Sequence, residues 1–427
     1  MNTPGSPSND FASQAGASDP GAQGASIAMR PLRRLLLRLL RGVHCGNVTV
    51  QLPDGERLEG RGATPGPQAA LALHRWRPLG RLLLQGDLGL AESYRDGDWS
   101  TPDLVALLEF GSRNEASWGD LLDGSRAARW MGQLYRLSRA NTRRGSRRNI
   151  AYHYDISNAF YAAWLDPDLI YSSALYDTGA QTLEEAQSIK LDRIIELLDM
   201  PEQASVLEIG CGWGALARAL AERHRAQVTG ITLSTEQLAH AQRRTLEMGL
   251  GGSVELRLQD YRDVRGQYDR IVSIEMLEAV GERYWPTYFE TLHERLRPGG
   301  SGVLQVITIA DECFERYRRS TDFVQRFIFP GGKLPSVPVI QAHAERAGLR
   351  LQLAQSFGAS YAATLAEWRR RFIDARAAIA AMGFDLPFQR LWEYYLCYCE
   401  AGFRSGRVGV GLFTFTHAPV SAGRQAA

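Results

Sequence analysis

Residues 204–233 read ASVLEIGCGWGALARALAERHRAQVTGITL, and this stretch decides the fold. The apolar run Ala204–Gly210 is short and carries β-branched residues. Gly210, Gly212 and Gly214 follow it at once, a helical pattern begins at Ala215, and a second apolar run spans 226–233. Strand, glycine turn, helix and strand form the opening unit of a parallel Rossmann-type sheet, where glycine lets the backbone turn sharply and approach a ligand. Apolar runs at 254–260, 268–276 and 301–309, separated by amphipathic helical patterns, extend this to an α/β doubly wound sheet. A helical insert is expected over about 311–385 and a last strand over 408–417. The glycine spacing is G-x-G-x-G, unlike the G-x-G-x-x-G of dinucleotide sites.

Upstream, residues 1–26 are nearly all Gly, Ala, Ser, Pro, Asn and Asp. They offer too little apolar surface to offset ordering entropy, so a disordered tail is expected. In MRPLRRLLLRLLR, Arg30, Arg33, Arg34, Arg38 and Arg41 oppose Leu32, Leu35, Leu36, Leu39 and Leu40. This basic amphipathic helix has two readings, a surface helix docked on a core and a membrane-interface helix. Alternation from Asn47 to Leu58 predicts a hairpin turning at Pro53-Asp54-Gly55, and Thr101-Pro102-Asp103 starts a helix to about Phe110. Together these make a small α+β domain over 27–118. An arginine-rich linker helix over 119–149 follows, with the sheet domain over 150–420.

The 49 basic and 47 acidic residues leave a formal charge of +2, so no general affinity for nucleic acid is expected. Cys45, Cys211, Cys313, Cys397 and Cys399 form neither a disulfide framework nor a metal-ligand pattern, and no metal is expected. No segment approaches the ~20 apolar residues of a membrane span. The expected location is the cytoplasm, peripherally associated with the inner face of the membrane. The arginines of 30–41 and of 126–148 would face anionic lipid.

Acidic Glu208 lies just before the glycine turn, where a carboxylate suits the cationic amino group of S-adenosylmethionine better than a pyrophosphate. Eight motifs in order then carry a resemblance: YHYDISNAFYAAWLD, YSSALY, VLEIGCGWG, GITLSTEQ, LQDYRDV, EMLEAVGERYW, FIFPGGKLPS and YYLCYCEAGF. Over about Tyr152–Phe415 the chain resembles the cyclopropane-fatty-acyl-phospholipid synthases, relatives of the mycolic acid methyltransferases. GDLGLAESYRDGDW matches their two-domain members. The resemblance implies a class I methyltransferase fold and S-adenosylmethionine as cofactor. It places Tyr171 and Ser172 at the cofactor's carboxylate end, Gly210 and its turn at the methionine part, Thr232, Leu233 and Gln237 at the ribose, and Asp260 and Tyr261 beside the adenine.

Such an enzyme moves the sulfonium methyl onto a cis double bond of a phospholipid acyl chain, leaving a carbocation. Loss of a proton from the new methyl group closes a cyclopropane ring. In the family the base is a bound bicarbonate, and the matching positions here are Glu278, Tyr361, Gln305, Ile307 and Ser173. Gln305 stands where the best-known pattern has His, and Ser173 where it has Cys. Glu278 is expected to organise the base. Phe160, Tyr161, Trp164, Tyr284, Trp285, Phe323, Phe327, Phe329 and Trp368 are collectively expected to line the acyl tunnel, although core packing accounts for each one singly. His153 is a further functional candidate. The rival readings are a hydride shift giving a methylene- or methyl-branched chain, an idle lipid-binding protein on the same scaffold, and a small-molecule methyltransferase. A homodimer is left open.

Overall fold

The computed structural model describes residues 30–119, 139, 141–143, 145, 146, 149, 156–176 and 182–419. The expected tail, most of the arginine-rich linker and His153 lie outside the described residues.

The helix Arg30–Arg41 buries Leu35, Leu36, Leu39 and Leu40, while Arg30, Arg34, Arg38 and Arg41 face out. Arg33 makes a two-pronged contact with Glu56 at 2.6 and 2.9 Å. Of the two sequence readings, the docked helix is the one observed, because its leucine stripe is spent inside the protein. Beside it, β1 (Cys45–Gln51), β2 (Arg57–Arg61), β3 (Thr64–Leu73) and β4 (Trp99–Ser100) form a sheet in the order β2-β1-β3-β4. The β1–β2 hairpin turns at the expected place, with Gly55 at φ +89°. The helix starting at Leu104 is capped by Asp103, whose carboxylate accepts from the Ala106 N–H at 2.9 Å. It runs to Trp118, well past Phe110. Asn114 sustains it: its side chain accepts from the His44 and Cys45 N–H groups and donates to the Cys45 and Phe110 carbonyls.

The second sheet comprises β5 (Ser205–Ile209), β6 (Gln227–Thr232), β7 (Val254–Leu258), β8 (Tyr268–Ile274), β9 (Leu296–Ile309), β10 (Leu349–Ser356) and β11 (Val408–His417), in the order β10-β11-β9-β8-β5-β6-β7. Strands β5 to β9 pair in parallel, and β11 is antiparallel to both β9 and β10. Strand β10 corrects the expectation of a wholly helical insert. Strand order reverses at β5, which pairs with β6 on one side and β8 on the other, and ligands of open α/β sheets bind at the carboxyl end of such a switch point.

The two sheets share one apolar cluster, running from Val48 and Trp99 to Val206 and Tyr394. The helix Leu386–Arg404 joins them. Its Tyr394 ring lies 6.5 Å from that of Trp99, and Tyr94 donates to Glu393 at 3.1 Å. The N-terminal unit thereby forms part of the wall around the site described next.

Candidate active site

At the end of β5 the backbone reverses, and the Gly210 and Cys211 N–H groups both donate to the Ile231 carbonyl, at 2.9 and 3.0 Å. Gly210, Gly212 and Gly214 all have positive φ, at +84°, +52° and +81°. A Cβ on Gly210 would strike the Met276 side chain at 2.6 Å, whereas one on Gly212 would meet nothing within 4 Å. Gly212 therefore borders open space, and that space is the cavity it lines. Gly214 shapes the turn without lining the cavity. Glu208 is 3% exposed, and its Oε2 has no hydrogen-bond partner among the described residues. Burial pushes its carboxyl up to about 8 against the pull of Arg218. An orphaned carboxylate oxygen beside a glycine cradle fits a cofactor that carries an ammonium group.

Around this turn the cavity wall includes Tyr171, Ser172, Thr232, Leu233, Gln237 and Tyr261. The Tyr171 and Tyr395 hydroxyls are 2.8 Å apart, and Lys190 donates to the Ser172 hydroxyl at 2.7 Å. Lys190 is buried, which lowers its ammonium to about 8, although Glu275, Asp166 and Glu208 all support its charge. Thr232 donates to Gln237 at 2.9 Å, fixing both side chains at the end of β6. Tyr261 keeps its buried hydroxyl without a hydrogen-bond partner among the described residues.

Asp260 stands behind that wall, apart from the main cavity. Its carboxylate takes Nε of Arg262 at 2.8 Å and an Arg262 terminal nitrogen at 2.6 Å. Burial works against the charge on Asp260, yet these bonds hold its carboxyl below the usual range. Arg262 also donates to the Asn141 carbonyl, and Asn141 clamps the Ala279 and Gly331 carbonyls at 2.9 Å each. With exposures of 3% and 9%, this is a buried pair, and removing one partner strands the other charge. Asp260→Asn is expected to cost about 3–5 kcal/mol of stability and on the order of 10 °C in Tm. A melt unchanged within 2 °C ~ the scale of a surface substitution ~ would show the pair to be dispensable.

The expected anion cradle is assembled around a residue outside the expected set, Glu275. Glu275 receives the Ser173 N–H at 2.9 Å and the Gln305 amide at 2.7 Å on one oxygen, and the Tyr361 hydroxyl at 2.7 Å on the other. Ser173 contributes its backbone rather than its hydroxyl, which turns to the Ala174 carbonyl at 2.9 Å. Glu278 takes the Ile307 N–H on one oxygen, and its Oε2 has no hydrogen-bond partner among the described residues. Burial, followed by the Glu275 charge, raises Glu278 to about 8. Burial raises the Glu275 carboxyl too, but three donors and the nearby Lys190 pull against that rise, so Glu275 is the better placed of the two to carry a negative charge, while Glu278, with fewer donors, is held protonated near neutrality. The donors a bicarbonate would need are thus already committed, and the residues present do not fit that anion.

Glu208, Glu275, Glu278, Ile307 and Tyr361 all face one cavity of about 1260 Å³. It exceeds the ~300–1,000 Å³ usual for a single small ligand, so it has room for a cofactor and a long chain together. Beyond the carboxylates it reaches into the N-terminal unit, among Leu36, Leu40, Val48, Val50, Leu107 and Phe110. Of the aromatics expected along an acyl tunnel, only Phe329 is on the cavity wall. Phe160, Tyr161, Trp164 and Trp368 are wholly buried and pack ring against ring, with Trp164 and Trp368 centroids 5.7 Å apart.

The seven-stranded order, the glycine turn at the switch strand and the buried carboxylate beside it define a Rossmann-like, S-adenosylmethionine-dependent methyltransferase. The family model for mycolic acid cyclopropane synthetase matches residues 141–413, and the chain belongs to that family. It is 40% identical over 410 residues to tuberculostearic acid methyltransferase UfaA1 of Mycobacterium tuberculosis (strain ATCC 25618 / H37Rv), covering 92% of this chain and 91% of that one. It is 36% identical over 336 residues to the cyclopropane-fatty-acyl-phospholipid synthase of Escherichia coli (strain K12), covering 76% and 82%. The solved structure of mycolic acid cyclopropane synthase CmaA1 complexed with SAH and CTAB is similar at a TM-score of 0.59 and 30% identity, over 63% of this chain and 97% of that one.

Proposed function

We propose that the enzyme transfers a one-carbon unit from S-adenosylmethionine to the cis double bond of an unsaturated phospholipid acyl chain. The observation that carries this reading is the single cavity in which the glycine turn, the buried carboxylates and a long apolar lobe meet. When bound, S-adenosylmethionine supplies the electrophilic methyl group. Glu208 holds the cofactor's ammonium, and the turn at Gly210–Gly212 admits its methionine part. Thr232, Leu233 and Gln237 face the ribose, and Tyr261 the adenine, with Asp260 acting through Arg262 to fix that loop. The apolar walls exclude water, so the alkene would meet the methyl group without competition from solvent.

Proton loss from the added methyl group gives a cyclopropane directly, or a methylene branch after a hydride shift. Similarity to the tuberculostearic acid methyltransferase along nearly the whole chain, N-terminal unit included, favours the branched product over the ring. Both products have the same mass. Lipids from cells expressing the protein should therefore be separated and read by proton NMR for exocyclic methylene or strained-ring hydrogens. Absence of both, with the protein present and folded, would remove the reading.

The substrate lies in a bilayer, and no helix among the described residues is long and apolar enough to cross one. Peripheral docking is supported by Leu83 and Leu84, 39% and 62% exposed at the end of the helix Arg77–Gln85, where Leu82 and Gln85 line the cavity. The outward arginines of the helix Arg30–Arg41 add an attraction to anionic lipid that salt weakens. Replacing both Leu83 and Leu84 by Asp is expected to weaken sedimentation with anionic vesicles by about tenfold, the scale of one buried leucine. Equal binding of the variant and the parent protein would move the docking face elsewhere.

A further inference from the structure

We infer that Glu275 is an internal replacement for a bound anion: its own carboxylate sits in the cradle of Ser173, Gln305 and Tyr361 and takes the proton lost from the transferred methyl group. This rests on the reaction proposed above. Three observations carry it. Both oxygens of Glu275 are held by these donors, at 2.7 to 2.9 Å, and the side chain lines the cavity where cofactor and chain meet. Glu275 has φ +49°, a left-handed conformation that glycine adopts freely and a non-glycine residue adopts at a cost, and such strain clusters at functional sites. The rest of the cradle offers a second anion little: Gln305 has spent its amide on Glu275, and its buried Oε1, which can only accept, has no hydrogen-bond partner among the described residues.

The step balances within these groups. The alkene's π pair forms the new carbon–carbon bond to the methyl group, and the carbon–sulfur pair stays on sulfur, leaving S-adenosylhomocysteine. The carbocation then loses a proton from the added methyl group to the Glu275 carboxylate. The released carbon–hydrogen pair closes the ring or, after hydride migration, forms the exocyclic double bond. Glu275 returns its proton to solvent as product leaves. No oxidant, reductant or external base is consumed.

The test compares the parent protein with Glu275→Gln and Glu275→Gly. Glutamine keeps the shape and removes the base. Glycine suits the backbone and empties the cradle. In bicarbonate-free buffer, with S-adenosylmethionine and vesicles of an unsaturated phospholipid, the parent should turn over at a rate unchanged by added bicarbonate. Glu275→Gln should fall by ~10²-fold or more, the scale of a positioned base, with cofactor affinity by calorimetry within a few-fold. Glu275→Gly should regain rate on adding bicarbonate, and ¹³C-bicarbonate should broaden with this variant and not with the parent. A parent that needs bicarbonate, a Glu275→Gln protein at near-parent rate, or a folded Glu275→Gly protein that neither binds nor responds to bicarbonate would each overturn the assignment. A parent that binds cofactor but methylates no acyl chain sinks the proposed reaction instead, and the bicarbonate-binding comparison still decides who occupies the cradle.

Discussion

Gly212→Val is expected to abolish cofactor binding while leaving the sheet intact. A Cβ at Gly212 would point into open cavity, with nothing within 4 Å, so the valine methyl groups would fill the space meant for the methionine moiety without striking the protein. The backbone penalty is separate, since φ of +52° is unfavourable for a β-branched residue and costs about 1–3 kcal/mol. Gly212→Ala separates the two effects: it meets much of the backbone cost and obstructs less. Calorimetry should therefore detect no binding by the valine variant at concentrations that saturate the parent, and weakened binding by the alanine variant. Parent-like affinity in folded Gly212→Val would place the cofactor elsewhere.

Glu208→Gln is expected to lower affinity for S-adenosylmethionine by about 10²–10³-fold, the scale of removing one partner from a buried charge pair. The same carboxylate predicts a pH dependence. Without ligand, burial holds Glu208 protonated up to about pH 8. A cationic ligand favours the ionised form, so binding below that pH releases a proton and affinity rises with pH, flattening above about 8 for as long as the ligand keeps its ammonium. The sign for stability is opposite. Between the ordinary carboxyl range and about 8, the folded protein binds the extra proton, so this group's contribution to ligand-free stability falls as pH rises. The melting shift caused by cofactor should accordingly grow from pH 6 to pH 8. A shift independent of pH, or unchanged in Glu208→Gln, contradicts the pairing.

The parallel core was legible because its signals are local. Residues 204–233 carry strand, turn and helix in order, and the last strand appears at Val408–His417 as read. Strand β10 is hard to see in the sequence although LRLQL alternates with period two, because the surrounding segments have a helical pattern and its partner β11 lies far along the chain. The helix at 104–118 outran its reading because Gly111, Ser112 and Asn114 look like an ending, and only the contacts of Asn114 with the β1 backbone supply the compensation. The site divides the same way. Residue types at the cofactor turn and on the cradle were visible, but not which carboxylate they meet. Tyr361 is 86 positions from Glu275, and the direction of its hydroxyl is a tertiary fact. Sequence does contain one signal for Glu275: a second acidic residue three positions before Glu278, at the end of an apolar strand, where an unpartnered charge is costly. The aromatic residues together suggest a tunnel in the sequence, but the structure spends most of them on packing the walls together.

The most direct test of the account gives the purified protein S-adenosylmethionine with a fully deuterated methyl group and vesicles of a monounsaturated phospholipid, then weighs the released acyl chains. The account predicts label in the acyl chain with two of the three deuterons retained, because one leaves to the base. An unlabelled chain, label confined to the headgroup, or a product retaining all three deuterons would contradict it.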